Sequence, residues 1–283
     1  MEKIIIQNKT YDEERALYNL CDALVLNTKF EGPADGESAL KEARRIEVKD
    51  SSFSLRYPLW HVDEFSLDNI SMNSTTRAAL WYSTNGKINN STLGGIKALR
   101  ECKNIEIDNS IMDSSEFGWK CDNITITNSK LNSEYLFLDS SNITLSNIMM
   151  YGKYSFQYVK NLTITNSVLN TKDAFWHAKN VVVKDSIING EYLGWFSKDL
   201  TLINCEIVGT QPFCYCTNLK IVNCTMKDCD LSFEYSSVEA DVKGHVDSIK
   251  NPLNGTIVVD SVGELINDKP VYECKGIVKI RKK

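Results

Sequence analysis

The chain has 283 residues, 42% of them hydrophobic and 24% charged, a composition that supports a sizeable folded core and holds no low-complexity stretch of the kind that stays disordered. With 32 basic against 37 acidic residues the formal charge is −5, so no broad cationic surface is at hand to release counterions from a nucleic-acid backbone, and nucleic acid is not an expected partner. Nine cysteines without CxxC pairs or zinc-module spacing point to free thiols, with no metal site and no cofactor expected.

In chain order, the opening segment MEKIIIQNKTYDEERALYNL has an apolar run of only Ile4, Ile5 and Ile6. That is far short of a signal-peptide core or a membrane span, so the expectation is a cytoplasmic protein without a membrane partner. YDEERALYNL and ADGESALKEAR then read as short helical pieces, the second with Glu37 four residues before Lys41 and Asp35 available as a cap. Residues 1–45 are therefore expected to form a helical N-terminal cap and the first turns, covering an edge strand that would otherwise be unpaired.

From residue 46 one period takes over. It is loose at Ile46-Glu47-Val48-Lys49-Asp50-Ser51 and regular once Ile88-Asn89-Asn90-Ser91 is reached. Asn104, Asn123, Asn142, Asn161, Asn180, Asp199 and Asn218 then recur every 19 residues. After each comes an alternating apolar pair, such as Ile105 and Ile107, Ile124 and Ile126, Leu162 and Ile164, or Val181 and Val183, which is the period of a strand with those side chains inward. Five residues beyond the first column stands a second, Asn109, Asn128, Asn147, Asn166, Asp185, Asn204 and Asn223. Asn and Asp tolerate the left-handed backbone of a sharp corner, so this column marks a turn. Nineteen residues cannot hold two packed helices with their connections, and the Leu-x-x-Leu-x-Leu pattern of leucine-rich repeats is absent. The fold read from this is all-β, a parallel β-helix with 19-residue turns. Residues 1–283 are taken as one domain, with repeat turns over 46–236 and the last turns and C-terminal cap over 237–283.

The third strand of each turn carries the chemistry. One column contains Lys97, Glu116, Tyr135, Tyr154, Asp173, Tyr192, Gln211 and Asp230, and four residues on lies Glu101, Lys120, Asp139, Tyr158, His177, Phe196, Tyr215 and Glu234. Charges this frequent do not all belong in an apolar core, so strand parity places both columns outside. Ala98, Phe117, Leu136, Ser155, Ala174, Leu193, Pro212 and Leu231 then point inward. Between the charged columns run Leu99, Gly118, Phe137, Phe156, Phe175, Gly194, Phe213 and Ser232, external by parity despite their apolar content. Either the strand bends there or an aromatic stripe is exposed.

An exposed stripe of this kind suits a sugar, with flat apolar faces for the carbon side of a pyranose and polar groups for its hydroxyls. The binding candidates are Lys97, Lys120, Tyr135, Asp139, Tyr154, Tyr158, Tyr192, Gln211, Tyr215 and Asp230. Glu116, Asp173 and His177 are the acid–base candidates for chemistry of the glycoside hydrolase or polysaccharide lyase type. The alternative is a non-enzymatic scaffold or a homodimer associating through the aromatic face. Sign alternation along Glu101, Lys120 and Asp139, between Glu134 and Lys153, and between Lys172 and Glu191 reads as cross-strand pairing. Cys102, Cys121 and Cys216, and Cys205 beside Cys224, share columns with Ser and Ala and read as small buried thiols.

Taken together, EGPADGESALKEAR, RYPLWH, RAALWYS, GIKALREC, SEFGWKC, GKYSFQY, TKDAFWHA, GEYLGWFS, GTQPFCYC and DLSFEYS resemble a bacterial family of uncharacterised single-domain β-helix proteins, over about residues 12 to 265. The resemblance implies a single-stranded right-handed coil, small and cytoplasmic, related in shape to pectate lyases and other polysaccharide-active enzymes. It implies no particular reaction, since function resides in a site and not in a fold.

Overall fold

A computed structural model describes residues 3–282, and the chain divides into two compact units, with the boundary between Thr144 and Leu145. Both are parallel β-solenoids. In the first, the strands Lys103–Asp108 and Asp122–Thr127 pair with Ile105 opposite Ile124 and Ile107 opposite Ile126. In the second, Lys160–Thr165, Lys179–Lys184 and Lys198–Ile203 align Leu162, Val181 and Leu200 in one file and Ile164, Val183 and Leu202 in another. All ten of these side chains are buried, each worth about 1.5–3 kcal/mol against exposure. A shorter second side follows, as in Ile111–Asp113 and Lys130–Ser133, or Val168–Lys172 and Ile187–Asn189, also parallel.

The corner between these sides is built as the Asn column predicts. Asn109, Asn128, Asn147, Asn166, Asp185, Asn204 and Asn223 have φ between +45° and +55°. Side-chain amides in this column bond from turn to turn, as Asn109 to Asn90 at 2.7 Å and Asn223 to Asn204 at 2.7 Å. Inside that corner a serine column handles the backbone. The amide N–H groups of Ile70, Ser91 and Ser110 donate to the hydroxyls of Ser91, Ser110 and Ser129 at 3.0, 3.1 and 3.0 Å. Each of those hydroxyls donates in turn to the carbonyl two residues back, at 2.6–2.7 Å. Buried backbone groups cost free energy unless paired, which explains small polar residues at these inward positions. Cysteine substitutes in the same role. Cys205 N–H points at the Cys224 sulfur, and Cys102 Sγ donates to the Leu80 carbonyl. All nine thiols are free, seven of them buried, and burial pushes the Cys216 thiol up to about 11.

The helical N-terminal cap is not found. The solenoid is already present at Ile4–Gln7, which pairs with Cys21–Leu26. YDEERALYNL and ADGESALKEAR instead have left-handed φ at alternate residues: Arg15, Leu17 and Asn19, then Ser38, Leu40 and Glu42. Their amides bond the neighbouring turn, Arg15 to the Glu37 carbonyl at 2.7 Å and Leu40 to that of Ala16 at 2.8 Å. Segments of ten and eleven residues fall below the ~12–15 at which an isolated helix becomes stable, so bonds between turns prevail over bonds along a helix. At the other end the register drifts as expected beyond residue 237, where Val238 pairs with Gly255 and Thr256 with Ile277. Among the described residues no helix is long and apolar enough to cross a membrane.

The third side departs from strand geometry. Tyr154, Phe156 and Tyr158 have φ of +56°, +61° and +59°, and Asp173, Phe175 and His177 have +54°, +63° and +55°. Successive odd-numbered amides reach opposite neighbours: Asp173 to the Glu191 carbonyl, Phe175 back to Ser155, and His177 forward to Trp195, at 3.0, 2.9 and 3.0 Å. Parity is lost as a result, and two consecutive residues turn inward. Ala174 lies inside beside Phe175, Leu136 beside Phe137 and Ser155 beside Phe156; the three Phe are at most 1% exposed. The apolar column is therefore core, not an exposed stripe, and the bend is the correct alternative. Asp173, expected outside, is only 6% exposed, while Leu231, expected inside, is half-buried. A bulky residue in the left-handed region costs roughly 1–2 kcal/mol, which burial of its ring, about 1.5–3 kcal/mol, offsets.

Candidate functional site

Three files line the third side in residues 145–283, facing outward except at the buried Asp173. The first holds Tyr154, Asp173, Tyr192 and Gln211, left-handed at every member. The second holds Gln157, Trp176 and Trp195, half-buried, and the third Tyr158, His177, Phe196 and Tyr215. Within the third file the rings stack at 4.9, 5.0 and 4.8 Å with interplanar angles of 7°, 7° and 11°. Turns rise by about 4.8 Å, so identical positions on successive turns bring flat rings into face-to-face contact.

This stacking changes what the rings offer a ligand. Both faces of His177 and Phe196 are taken by their neighbours, leaving edges and polar tips toward solvent. The flat platforms anticipated from the sequence are used within the protein. Trp176 and Trp195 also stack, at 5.4 Å, and their indole N–H groups donate to the Tyr192 and Gln211 carbonyls at 2.7 and 2.8 Å. Tyr192 stands at 85° to Trp195, with the Lys172 ammonium 5.1 Å from its ring centroid. These tryptophans lie in a file not singled out from the sequence. Stepping by nineteen through Arg100, Trp119, Leu138, Gln157, Trp176 and Trp195 would have exposed it.

Asp173 occupies the inner edge of this surface. Burial pushes its carboxyl above the usual aspartate range; Lys172 opposes that shift and Glu191 adds to it. Lys172 is itself held at 3.0 Å from Glu191, the turn-to-turn pairing expected of these two. Of the remaining predicted residues, Asp230 accepts a hydrogen bond from Thr210, and Glu234 pairs with Lys250 at 3.0 Å.

Lys97, Glu116, Lys120, Tyr135 and Asp139 belong to residues 1–144. Lys97 Nζ lies 3.4 Å from Glu116 Oε2, an ion pair without good hydrogen-bond geometry, since that oxygen is otherwise buried and unsatisfied. Glu101, Lys120 and Asp139 are exposed and form no ion pair among the described residues, so the alternation of sign does not produce a ladder there. Arg100 lies 5.0 Å from the ring centroids of both Trp81 and Trp119. A surface hollow of about 220 Å³ is lined by Tyr57, Arg77, Ala78, Trp81, Ile96 and Lys97. Among the described residues no cluster of three or more His, Cys, Asp or Glu is placed to hold a metal ion.

No curated protein matches the sequence. Among solved structures, the alginate lyase AlyF-OU02 in complex with G6 is similar at 10% identity and a TM-score of 0.51, over 85% of this chain and 81% of that one. A GH87 alpha-1,3-glucanase catalytic domain in complex with nigerose is similar at 13% identity and a TM-score of 0.46, over 84% of this chain but only 63% of that domain. PfbA, a surface adhesin of Streptococcus pneumoniae, is similar at 11% identity and a TM-score of 0.38, over 93% of this chain and 81% of the adhesin. At such identities the likeness to the lyase is one of fold alone. The family assignment is direct: over residues 4–279 the chain matches, and belongs to, the family described as "Protein of unknown function (DUF3737)".

Proposed function

We propose that the third side of residues 145–283 binds a carbohydrate chain and that Asp173 acts on it as a general acid. The observation that carries this reading is the juxtaposition of a regular outward row, Tyr158, His177, Phe196 and Tyr215, with a carboxyl held above its usual range by burial. A polymer laid along the row meets one ring edge per turn, and the phenol and imidazole tips match sugar hydroxyls. Tyr154, Tyr192 and Gln211 flank Asp173 in its own file and would orient the reacting residue. The lyase structure in complex with G6 is consistent with this class of ligand.

A glycan array on the full chain, followed by reducing-end and unsaturated-product assays on the bound species, tests the proposal. Phe196→Ala is expected to weaken binding at least tenfold, because Phe196 is 44% exposed and has no part in the core. Asp173→Asn is expected to retain binding and lose turnover. An array on which the wild-type chain is silent would sink the reading.

A further inference from the structure

A second file runs beside the aromatic row. Lys160, Lys179 and Lys198 stand two residues after Tyr158, His177 and Phe196, all three exposed, and they are register partners: Lys160 opposite Lys179, and Lys179 opposite Lys198. Their ammonium groups thus recur at the turn spacing of about 4.8 Å. Among the described residues none of the three has an ion-pair partner within 4.0 Å. Elsewhere the protein does neutralise charge across turns. On the second side Lys172 meets Glu191 at 3.0 Å, and in the same file of residues 1–144 Lys103 is opposite Asp122, whose carboxyl is held below its usual range chiefly by hydrogen bonds from Ser141 and Asn142, with Lys103 adding a smaller pull. Like charges directly opposite one another on a sheet are destabilising, so three in succession on a chain of net charge −5 stand out as positions where a counter-charge is missing.

We infer that the carbohydrate taken by this surface is an acidic one, bearing a carboxylate on successive sugar residues. A polymer along the aromatic row would place its ring edges against Tyr158, His177 and Phe196 and its acid groups against Lys160, Lys179 and Lys198. One lysine per turn then meets one sugar residue per turn. A neutral glycan leaves the lysine file uncompensated, and a single small anion answers only one member of it. The inference rests on the proposed carbohydrate role and narrows it to a substrate class.

The test compares two probes with one backbone: oligogalacturonate and its full methyl ester, titrated calorimetrically into the wild-type chain and into K160Q/K179Q/K198Q over a range of salt. Retention of the wild-type melting temperature verifies that the variant folds. The expected result is at least tenfold tighter binding of the free acid, with that preference and most of the salt dependence lost in the triple variant. Equal affinity for the acid and its ester overturns the inference, as does a triple variant that keeps the preference. A DNA oligonucleotide of matched charge that competes as well as the uronide also overturns it, since the file would then recognise charge without regard to sugar. Binding of neutral glycans that depends on Phe196 but not on the lysines overturns the acidic class while leaving the carbohydrate role standing.

Discussion

Two kinds of wall enclose the core of each unit, and they obey different rules. On the strand-built sides, side chains alternate in and out, so Ile105 and Ile107 are buried while Glu106 between them is exposed. On the third side, left-handed φ at alternate residues sends neighbours such as Ala174 and Phe175 inward together. Binary patterning therefore reports burial on the strands and misreports it on the third side. The sharpest way to break that contrast is to compare two phenylalanines of the third side. Phe175→Ala is expected to cost about 3–5 kcal/mol in urea unfolding, whereas Phe196→Ala, on the exposed row, should stay within about 1 kcal/mol. Equal costs would restore the exposed stripe.

Glycine tests the same wall from its backbone. Gly118 has φ of +75°, and a Cβ there would lie 2.5 Å from the Phe137 ring, which fills the space the glycine leaves. Gly118→Ala should cost about 1–3 kcal/mol from crowding, added to the left-handed penalty of roughly 1–2 kcal/mol. Gly244, at φ of +82° with nothing within 4 Å, should show the conformational part alone when changed to Ala. Similar losses at the two positions would mean that Phe137 does not pack over Gly118.

Much of the fold was legible because its signals are local and repeat. Asn and Asp mark left-handed corners by residue type, and period-two Ile, Leu and Val mark the inward face, so columns and strands emerge by stepping along the chain. The third side was harder to read, because there Phe, Tyr, Leu and His occupy left-handed positions that residue type alone would assign to Gly or Asn. Short helical spacing in YDEERALYNL misled for the same reason, since those apolar positions serve the third side. The hollow around Tyr57, Arg77 and Ile96 lay beyond a fixed step, because Phe65 pairs with Gly86 and the turn there is longer than 19 residues. Asp173 and the row from Tyr158 to Tyr215 stand out as members of files, while the stacking of the row's ring faces depends on side-chain orientation, which a repeat period does not encode.

The inner corners supply a smaller effect. Ser140 Oγ accepts the Cys121 N–H at 3.0 Å and donates to the Gly118 carbonyl at 2.7 Å. Ser140→Ala leaves both backbone groups buried without that partner and should cost about 1–3 kcal/mol. Ser140→Cys should recover part of the loss, since Cys102 and Cys121 hold equivalent positions on preceding turns. If Cys is no better than Ala in thermal unfolding, the column is a matter of side-chain size and not of hydrogen bonding.

Asp173 should give the smallest change and the one with a distinctive pH signature. Its carboxyl is raised in the folded chain, chiefly by burial, so between the ordinary aspartate value and the raised one the folded state holds more proton than the unfolded state. Stability must then fall as pH rises through that window, and the penalty persists at neutral pH. Asparagine keeps the shape and cannot ionise. Asp173→Asn is thus expected to be more stable than the wild type at neutral pH, with the advantage closing as pH drops through the ordinary carboxylate range. Urea titrations at a series of pH values measure the difference directly. A variant less stable than wild type at neutral pH would mean that the ionised carboxylate is stabilised in the fold, and the acid role would then pass from Asp173 to another group.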